Sequence, residues 1–239
     1  MPQIFRFATL GSTMREATAL ALQGYAHGTA VVAHEQTSGI GRHGHSWHSE
    51  PGSGLYVSIV LRLPLAPEAL PIVTLALGLA TAEAIAETTG LACDIRWPND
   101  IMIGPRKTAG ILVQLVDRAA IAGIGINVNH ESFPPELTGE ATSLHLATGR
   151  SHGLENLLTC LLASVDRVCE ILTAAGGRAA ILKMFRDTSS YAYGKPVTVD
   201  LGDRTIHGVT AGLNSSGFLL VRKPDSSVET IISGGVRPA

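Results

Sequence analysis

With 239 residues, 45% of them hydrophobic, the chain can bury one large core, or a large core and a small one, and a disordered protein is excluded. A formal net charge of −2, with 16% charged residues and no block of lysines and arginines, excludes the electrostatic footprint that nucleic-acid binding leaves. Three cysteines, Cys93, Cys160 and Cys169, are an odd number without Cys-x-x-Cys spacing, which argues against a disulfide framework or a cysteine zinc site and fits a reducing cytoplasm.

The start, MPQIFRFATL, lacks the charged, long apolar and small-residue regions of a signal peptide. Ile4–Phe7 reads as a strand, so no room is expected upstream for a DNA-binding module. Thr13 and Glu16 have the spacing of a capping box, which predicts a helix to about Leu22. Ala30–Ala33 and Gly54–Leu63 are strand candidates, the second rich in β-branched residues. The longest apolar stretch, about Ala69 to Ala86, contains Pro71, Gly78 and Glu83 and falls short of the ~20 apolar residues of a membrane span. It reads as a buried helix over Ala69–Thr89, closed by Gly90. Strands are expected at Asp94–Trp97, Thr108–Val116 and Ala119–Asn127, the last two antiparallel across the tight Asp117-Arg118 connection. Helices are expected at Leu154–Ala174 and Arg178–Asp187. Strands and helices do not alternate strictly, which favours an α+β fold with a mixed or antiparallel central sheet and helices on one side. From Tyr191 the segments KPVTVDL, TIHGVTAGL, GFLLVRK and VETIIS read as four short strands of a small β-barrel that packs on the larger unit. The division is placed between residues 188 and 189.

Three stretches carry candidate chemistry. Gly39-Ile40-Gly41-Arg42-His43-Gly44 spells G-x-G-x-x-G, but Pro51 and the glycines after it forbid the helix that a dinucleotide fold would start there, and no acid lies near residue 64. What remains is a glycine-rich loop able to wrap backbone N–H groups and a guanidinium around an anion such as a phosphate, or an ordinary connection. His43, His45 and His48 have close spacing, but only Glu50 joins them and a glycine-rich loop does not hold ligands rigidly, so no metal site is expected. In the second stretch Pro98 ends a strand and leaves Asn99-Asp100 at its end, while Lys107 opens the next strand. A lysine and a carboxylate on adjacent strand ends can serve a phosphate, an amine or a magnesium ion; a solvated surface pair reads equally from the residues alone. In the third, Gly123-Ile124-Gly125-Ile126-Asn127-Val128-Asn129, glycines inside a strand admit a close backbone or a flat ligand, and Asn127 offers an amide; a β-bulge with a turn asparagine is the plainer alternative.

Taken in this order, the segments resemble the biotin–protein ligases. The family's Ser-Thr pair is matched by Ser12-Thr13, its Q-x-x-G-R-G-R-x-G-R-x-W by Gln36, Gly39, Gly41, Arg42, Gly44 and Trp47, and its K-W-P-N-D by Arg96 to Asp100. Its K-x-x-G-I-L is matched by Lys107 to Leu112, including Gly110, and G-I-G-I-N-x-N is intact. Ile40 and His45 replace two loop arginines, Arg96 replaces a lysine, Met14 stands at a position often held by asparagine, and Gly235 at one that is usually acidic. The resemblance spans about residues 1–235 and implies a biotin/lipoate-ligase catalytic domain followed by an SH3-like β-barrel.

The implied reaction activates biotin with magnesium-bound ATP as biotinyl-5′-AMP and transfers it to a lysine of a biotin carboxyl-carrier protein domain, in the cytoplasm and without nucleic acid or membrane. The resemblance assigns Arg42 and Lys107 to phosphate charge, Asp100 to the acceptor lysine's proton, to orientation or to a metal, and Ser12, Thr13 and Gln36 to biotin. Trp47 stacks near the adenine, Asn127 binds from the opposite strand, and Gly39, Gly41, His43, Asn99 and Gly110 complete the pocket. The loop over residues 36–48 is expected to close over the adenylate. Family members often dimerise through the catalytic domain; the sequence leaves the oligomer open. Two alternatives remain at this stage, a lipoate- or octanoyl-handling transferase and a non-catalytic biotin-binding module.

Overall fold

The computed structural model describes residues 3–239. A seven-stranded sheet is built from β1 (Ile4–Leu10), β2 (Ala30–Gln36), β3 (Gly54–Leu61), β4 (Asp94–Arg96), β5 (Asp100–Ile103), β6 (Arg106–Val116) and β7 (Ala119–Asn127), in the order β1-β2-β3-β7-β6-β5-β4. Only the β1–β2 pair is parallel. The sheet is therefore mixed, as the absence of strict alternation predicts. β3 reads GLYVSIVL and is buried along its whole length, as a central strand covered on both faces must be.

The helices follow from their apolar patterns. α2 (Leu70–Thr89) is strongly apolar and buries thirteen residues, leaving only Glu83, Ala86 and Glu87 exposed toward its C-terminal end. It lies against the sheet, α4 (Leu154–Thr173) and α5 (Gly177–Thr188). Gly90, left-handed at φ 78°, accepts the end of the helix with its N–H on Ala86. By length and hydropathy this helix could cross a membrane, but 72% of its most apolar window is buried inside the protein, so its apolarity is used by the core.

Expectation and structure part at a few places. α1 (Thr13–Leu22) packs Met14, Ala17 and Leu20 on Val31, Val60 and Ile121, whereas α2, α4 and α5 cover the other face through Ala30, Val57 and Ile59. The one-sided helix layer thus holds for three helices, and α1 sits opposite them. The capping box does not form. Ser12 is the N-cap and makes no side-chain cap bond, and the Thr13 hydroxyl turns into the sheet to Gln36 and Ser58. β5 and the five-residue α3 (Leu144–Thr148) are elements the sequence did not reveal. α3 is held by Ser143, whose hydroxyl accepts from the Leu146 N–H at 3.0 Å.

The second unit is a five-stranded antiparallel sheet of β8 (Tyr193–Asp200), β9 (Thr205–Leu213), β10 (Leu219–Arg222), β11 (Val228–Ile231) and β12 (Gly235–Pro238), with β11 and β12 at its two edges. One strand more is present than the four expected, because Gly235–Pro238 returns to pair with β8. Val197, Val199, Leu219 and Val221 join the main core, so the small sheet shares the large core, as its size requires. Several hydrogen bonds tie the units together, two of them in the buried interior. The Trp97 Nε1–H donates to the Gly217 carbonyl at 3.0 Å, and the Ser189 hydroxyl to the Ile95 carbonyl at 2.5 Å.

Candidate active site

The two central strands β6 and β7 run side by side with Gly110 opposite Gly125 and Leu112 opposite Gly123. Missing side chains there open the sheet surface into a cavity of about 440 Å³, its mouth included. A Cβ on Gly125 would lie 2.4 Å from the Trp47 ring, and one on Gly110 would lie 2.9 Å from that ring and 3.0 Å from the Lys107 side chain. One on Gly123 would lie 2.6 Å from Met14 Sδ. These glycines are thus the floor on which Trp47, Lys107 and Met14 rest.

The glycine-rich loop forms the roof. Gly41 N–H donates to His45 O at 2.7 Å, Trp47 N–H donates to Gly39 O at 2.9 Å, and Ile40 bridges Ser46. A single 3-10 turn at Arg42–Gly44, with His43 at φ 55° and Gly44 at φ 79°, reverses the chain. No α-helix follows, which agrees with excluding the dinucleotide fold. Gly39 is needed for closeness, since a Cβ there would meet the Trp47 carbonyl at 2.5 Å.

One end of the cavity is polar and uncharged. The Gln36 side-chain carbonyl accepts from the Thr13 N–H at 2.8 Å and from its hydroxyl at 3.1 Å, and its NH2 donates to Ser49 Oγ at 3.0 Å. Because the Thr13 proton goes to Gln36, the buried Ser58 hydroxyl donates to Thr13 at 2.8 Å. Beside this network Ser12 Oγ is buried without a partner, and the Trp47 Nε1–H in the cavity wall is likewise unpartnered. Ser12 itself does not line the cavity, whereas Trp47 does, so the indole N–H is the orphaned buried donor in the cavity wall.

The opposite end is cationic. Register places Arg96 opposite Asp100 on β4 and β5, and the Asp100 carboxylate receives Arg96 at 2.8 Å and Lys107 Nζ at 2.6 Å. Lys107 also stands 5.3 Å over the Trp47 ring. Arg42 Nη1 donates to Asn99 Oδ1 at 2.9 Å and Nη2 reaches Ser233 at 3.5 Å, while Asn99 donates to the Ile111 carbonyl at 2.9 Å. Burial alone would raise the Asp100 pKa, but Lys107 and Arg96 outweigh it and hold the carboxyl below its ordinary value. Burial lowers the Arg42 pKa, opposed by the charge of Asp100; a guanidinium starts so high that it stays charged.

The predicted residues Thr13, Gln36, Gly41, Arg42, Trp47, Asn99, Lys107 and Gly110 line this cavity. His43 does not; its Nε2 sits 3.4 Å from Ser233 in the second sheet. Asn127 is buried outside the cavity and donates to the Thr142 carbonyl at 3.1 Å, so its amide anchors the end of β7 instead of reaching across. Asp100 does not line the cavity; its carboxylate is paired with both Arg96 and Lys107 at the cationic end. Ser49 and Ser58 were missed. The second left a signal, being the one serine inside an otherwise apolar and aromatic run of strand residues. The loop histidines also regroup: His48 meets Glu50 and the distant His130 instead of His43 and His45. Burial brings the His130 pKa down to about 4, with Glu50 opposing and His48 adding to the shift.

The mixed sheet thus carries a glycine-floored cavity, polar at one end and cationic at the other, and is followed by a small antiparallel sheet. The profile of the biotin/lipoate A/B protein ligase family matches residues 7–131, and that of the biotin protein ligase C terminal domain matches residues 193–236. The chain belongs to this family. It is 33% identical over 238 residues to the bifunctional ligase/repressor BirA of Bacillus subtilis strain 168, covering 95% of this chain and 71% of that protein. It is 29% identical to a biotin–[acetyl-CoA-carboxylase] ligase of Paracoccus denitrificans over 231 residues, 91% and 93% of the two chains. Among solved structures, biotin protein ligase from Aquifex aeolicus in complex with biotin and ATP superimposes with a TM-score of 0.87 at 29% identity, covering 100% of both chains.

Proposed function

We propose that this chain activates biotin with ATP and transfers it, through biotinyl-5′-AMP, to a lysine of a biotin carboxyl-carrier domain of the acetyl-CoA carboxylase type. The observation that carries the reading is the single cavity whose uncharged network of Thr13, Gln36, Ser49 and Ser58 faces away from the Arg42, Asn99 and Lys107 end. A ureido ring bears two N–H donors and a carbonyl, and the unpartnered Ser12 Oγ is the kind of group that can pair with it. The biotin carboxylate then points toward the cations. It attacks the α-phosphorus and pyrophosphate leaves; in the second half-reaction the carrier lysine attacks the mixed anhydride and AMP leaves. Both steps gather negative charge on phosphate oxygens, which Lys107 and Arg42 at the cationic end of the cavity would meet. Trp47 supplies a flat wall for a base or for the acyl chain and keeps water from the anhydride.

Magnesium suits the triphosphate of ATP. The cavity wall offers no carboxylate, and Asp100 is neutralised by two cations, so the residues present would hold such an ion through the phosphates and water, not through a protein cage. The ion would supply charge neutralisation at the triphosphate. Free thiols at Cys93, Cys160 and Cys169 fit a reducing cytoplasm. The division of the chain into units at residues 188 and 189 is part of this reading, as is a homodimer of the family's kind, which sedimentation would detect.

The test is pyrophosphate release with biotin and ATP, followed by transfer of labelled biotin to a carrier domain. Release with lipoate in place of biotin would favour the acyl-transferase alternative, whose dithiolane has no use for the polar end. No release with either acid would leave a binding module.

A further inference from the structure

We propose that His48, Glu50 and His130 bind one zinc(II) ion at the base of the loop that roofs the cavity. Gly54 at the start of β3 pairs with Asn127 at the end of β7. The chain entering one strand and the chain leaving the other therefore emerge side by side. The Val128 and Asn129 N–H groups both donate to the Ser53 carbonyl, at 3.2 and 2.6 Å, and fix that juxtaposition. Each of the three side chains offers a ligand atom, and these atoms all lie within 4.8 Å of one another. A tetrahedral zinc with bonds of about 2.0–2.1 Å holds its ligands roughly 3.3 Å apart. Rotation of the exposed Glu50 and the half-buried His48 closes that difference.

His130 is the fixed member. The Tyr56 hydroxyl donates its proton to the Glu50 carbonyl at 3.0 Å, so its oxygen accepts from His130 Nε2–H at 3.4 Å. That hydrogen bond selects the tautomer in which Nδ1 carries a lone pair. Nδ1 is buried and has no hydrogen-bond partner, while Phe133 stacks on the ring at 5.1 Å and 15°. A buried acceptor left unpaired is costly, and a metal bond to this nitrogen would satisfy it. The arrangement also supplies what metal-bound histidines carry as a rule, a partner on the other ring nitrogen that fixes orientation. Two imidazoles and one carboxylate suit zinc over magnesium or calcium, and three protein ligands leave a fourth position for water. Zinc here ties residues 48–50 to the end of β7 and so braces Ser49, the acceptor of the Gln36 side chain.

The site stands independently of the ligase reading, because its test needs neither biotin nor ATP. The full chain, stripped with chelator, is titrated with zinc(II) and separately with cobalt(II). One equivalent of zinc retained through gel filtration, and a cobalt(II) visible spectrum of low coordination number that zinc displaces, are expected. Glu50→Gln and His48→Asn, both away from the core and checked for folding by circular dichroism, should each weaken zinc at least about tenfold. Failure to retain zinc, or equal retention by wild type and both variants, overturns the proposal.

Discussion

Gly125→Ala isolates the role of the glycine floor. The added methyl would stand 2.4 Å from Trp47 Cε2, 2.5 Å from Nε1 and 2.8 Å from Cζ2, against the ~3.5–4.0 Å of an ordinary carbon contact. The indole must move by more than about 1 Å. It cannot sink, since Gly110 lies beneath its other edge, so it moves into the cavity or lifts the loop by breaking the Trp47-to-Gly39 hydrogen bond. Displacement of about 1 Å near reacting groups costs on the order of a hundredfold in rate, or roughly 2.7 kcal/mol. Single-turnover pyrophosphate release should fall by about that factor, while the thermal midpoint changes by only a few degrees, because the loop lies outside the core. Gly153→Ala is the matched control: a Cβ there meets nothing closer than Asn156 at 4.0 Å, and its rate should stay at the wild-type level. A wild-type rate for Gly125→Ala would refute the view that Trp47 is seated on this glycine.

Lys107→Ala should slow the first half-reaction at least tenfold, about 1.4 kcal/mol, in a pyrophosphate assay, and an unchanged rate would reduce Lys107 to a strut for Asp100. Arg42→Gly should hasten escape of the adenylate, measured by dissociation of labelled biotinyl-5′-AMP. Asp100 has a pKa held below its ordinary value, so its contribution to stability is full above the unfolded carboxylate pKa of about 4 and is lost as pH falls through the folded value. Asp100→Asn should therefore flatten acid unfolding at its low-pH end, followed by circular dichroism. Trp97→Phe removes the donor to Gly217 and should cost about 1 kcal/mol in urea unfolding.

Some of this architecture was legible because one physical signal dominated. A long apolar stretch marked α2 as a buried helix, the Asp117-Arg118 turn paired β6 with β7, and the shift to short strands after Tyr191 marked the second sheet. Gly110, Gly123 and Gly125 lie in strands too apolar for a loop, which is the trace a binding floor leaves. β5 stayed hidden because its four residues, paired with local neighbours on both sides, are too few for a strand period to show. Asn127 was read toward the site because which way its amide faces depends on where residue 142, fifteen positions on, packs. The grouping of His48 with Glu50 and His130 was illegible, because it follows from the β3–β7 register while the nearer His43 and His45 compete for attention in the chain.

The bond from Trp97 to Gly217 bears on biosynthesis. The turn that presents Asn99 and Asp100 is anchored to a carbonyl made 120 residues later, and Arg42 reaches a hydroxyl 191 residues downstream of it. Contacts of such separation form late, since the intervening chain must be closed before they reward the protein. A nascent chain can therefore complete its first sheet on the ribosome, with Arg42 already on Asn99 and Lys107 on Asp100, and still lack the anchor at Trp97. That anchor would be added only after the last strands have emerged and docked.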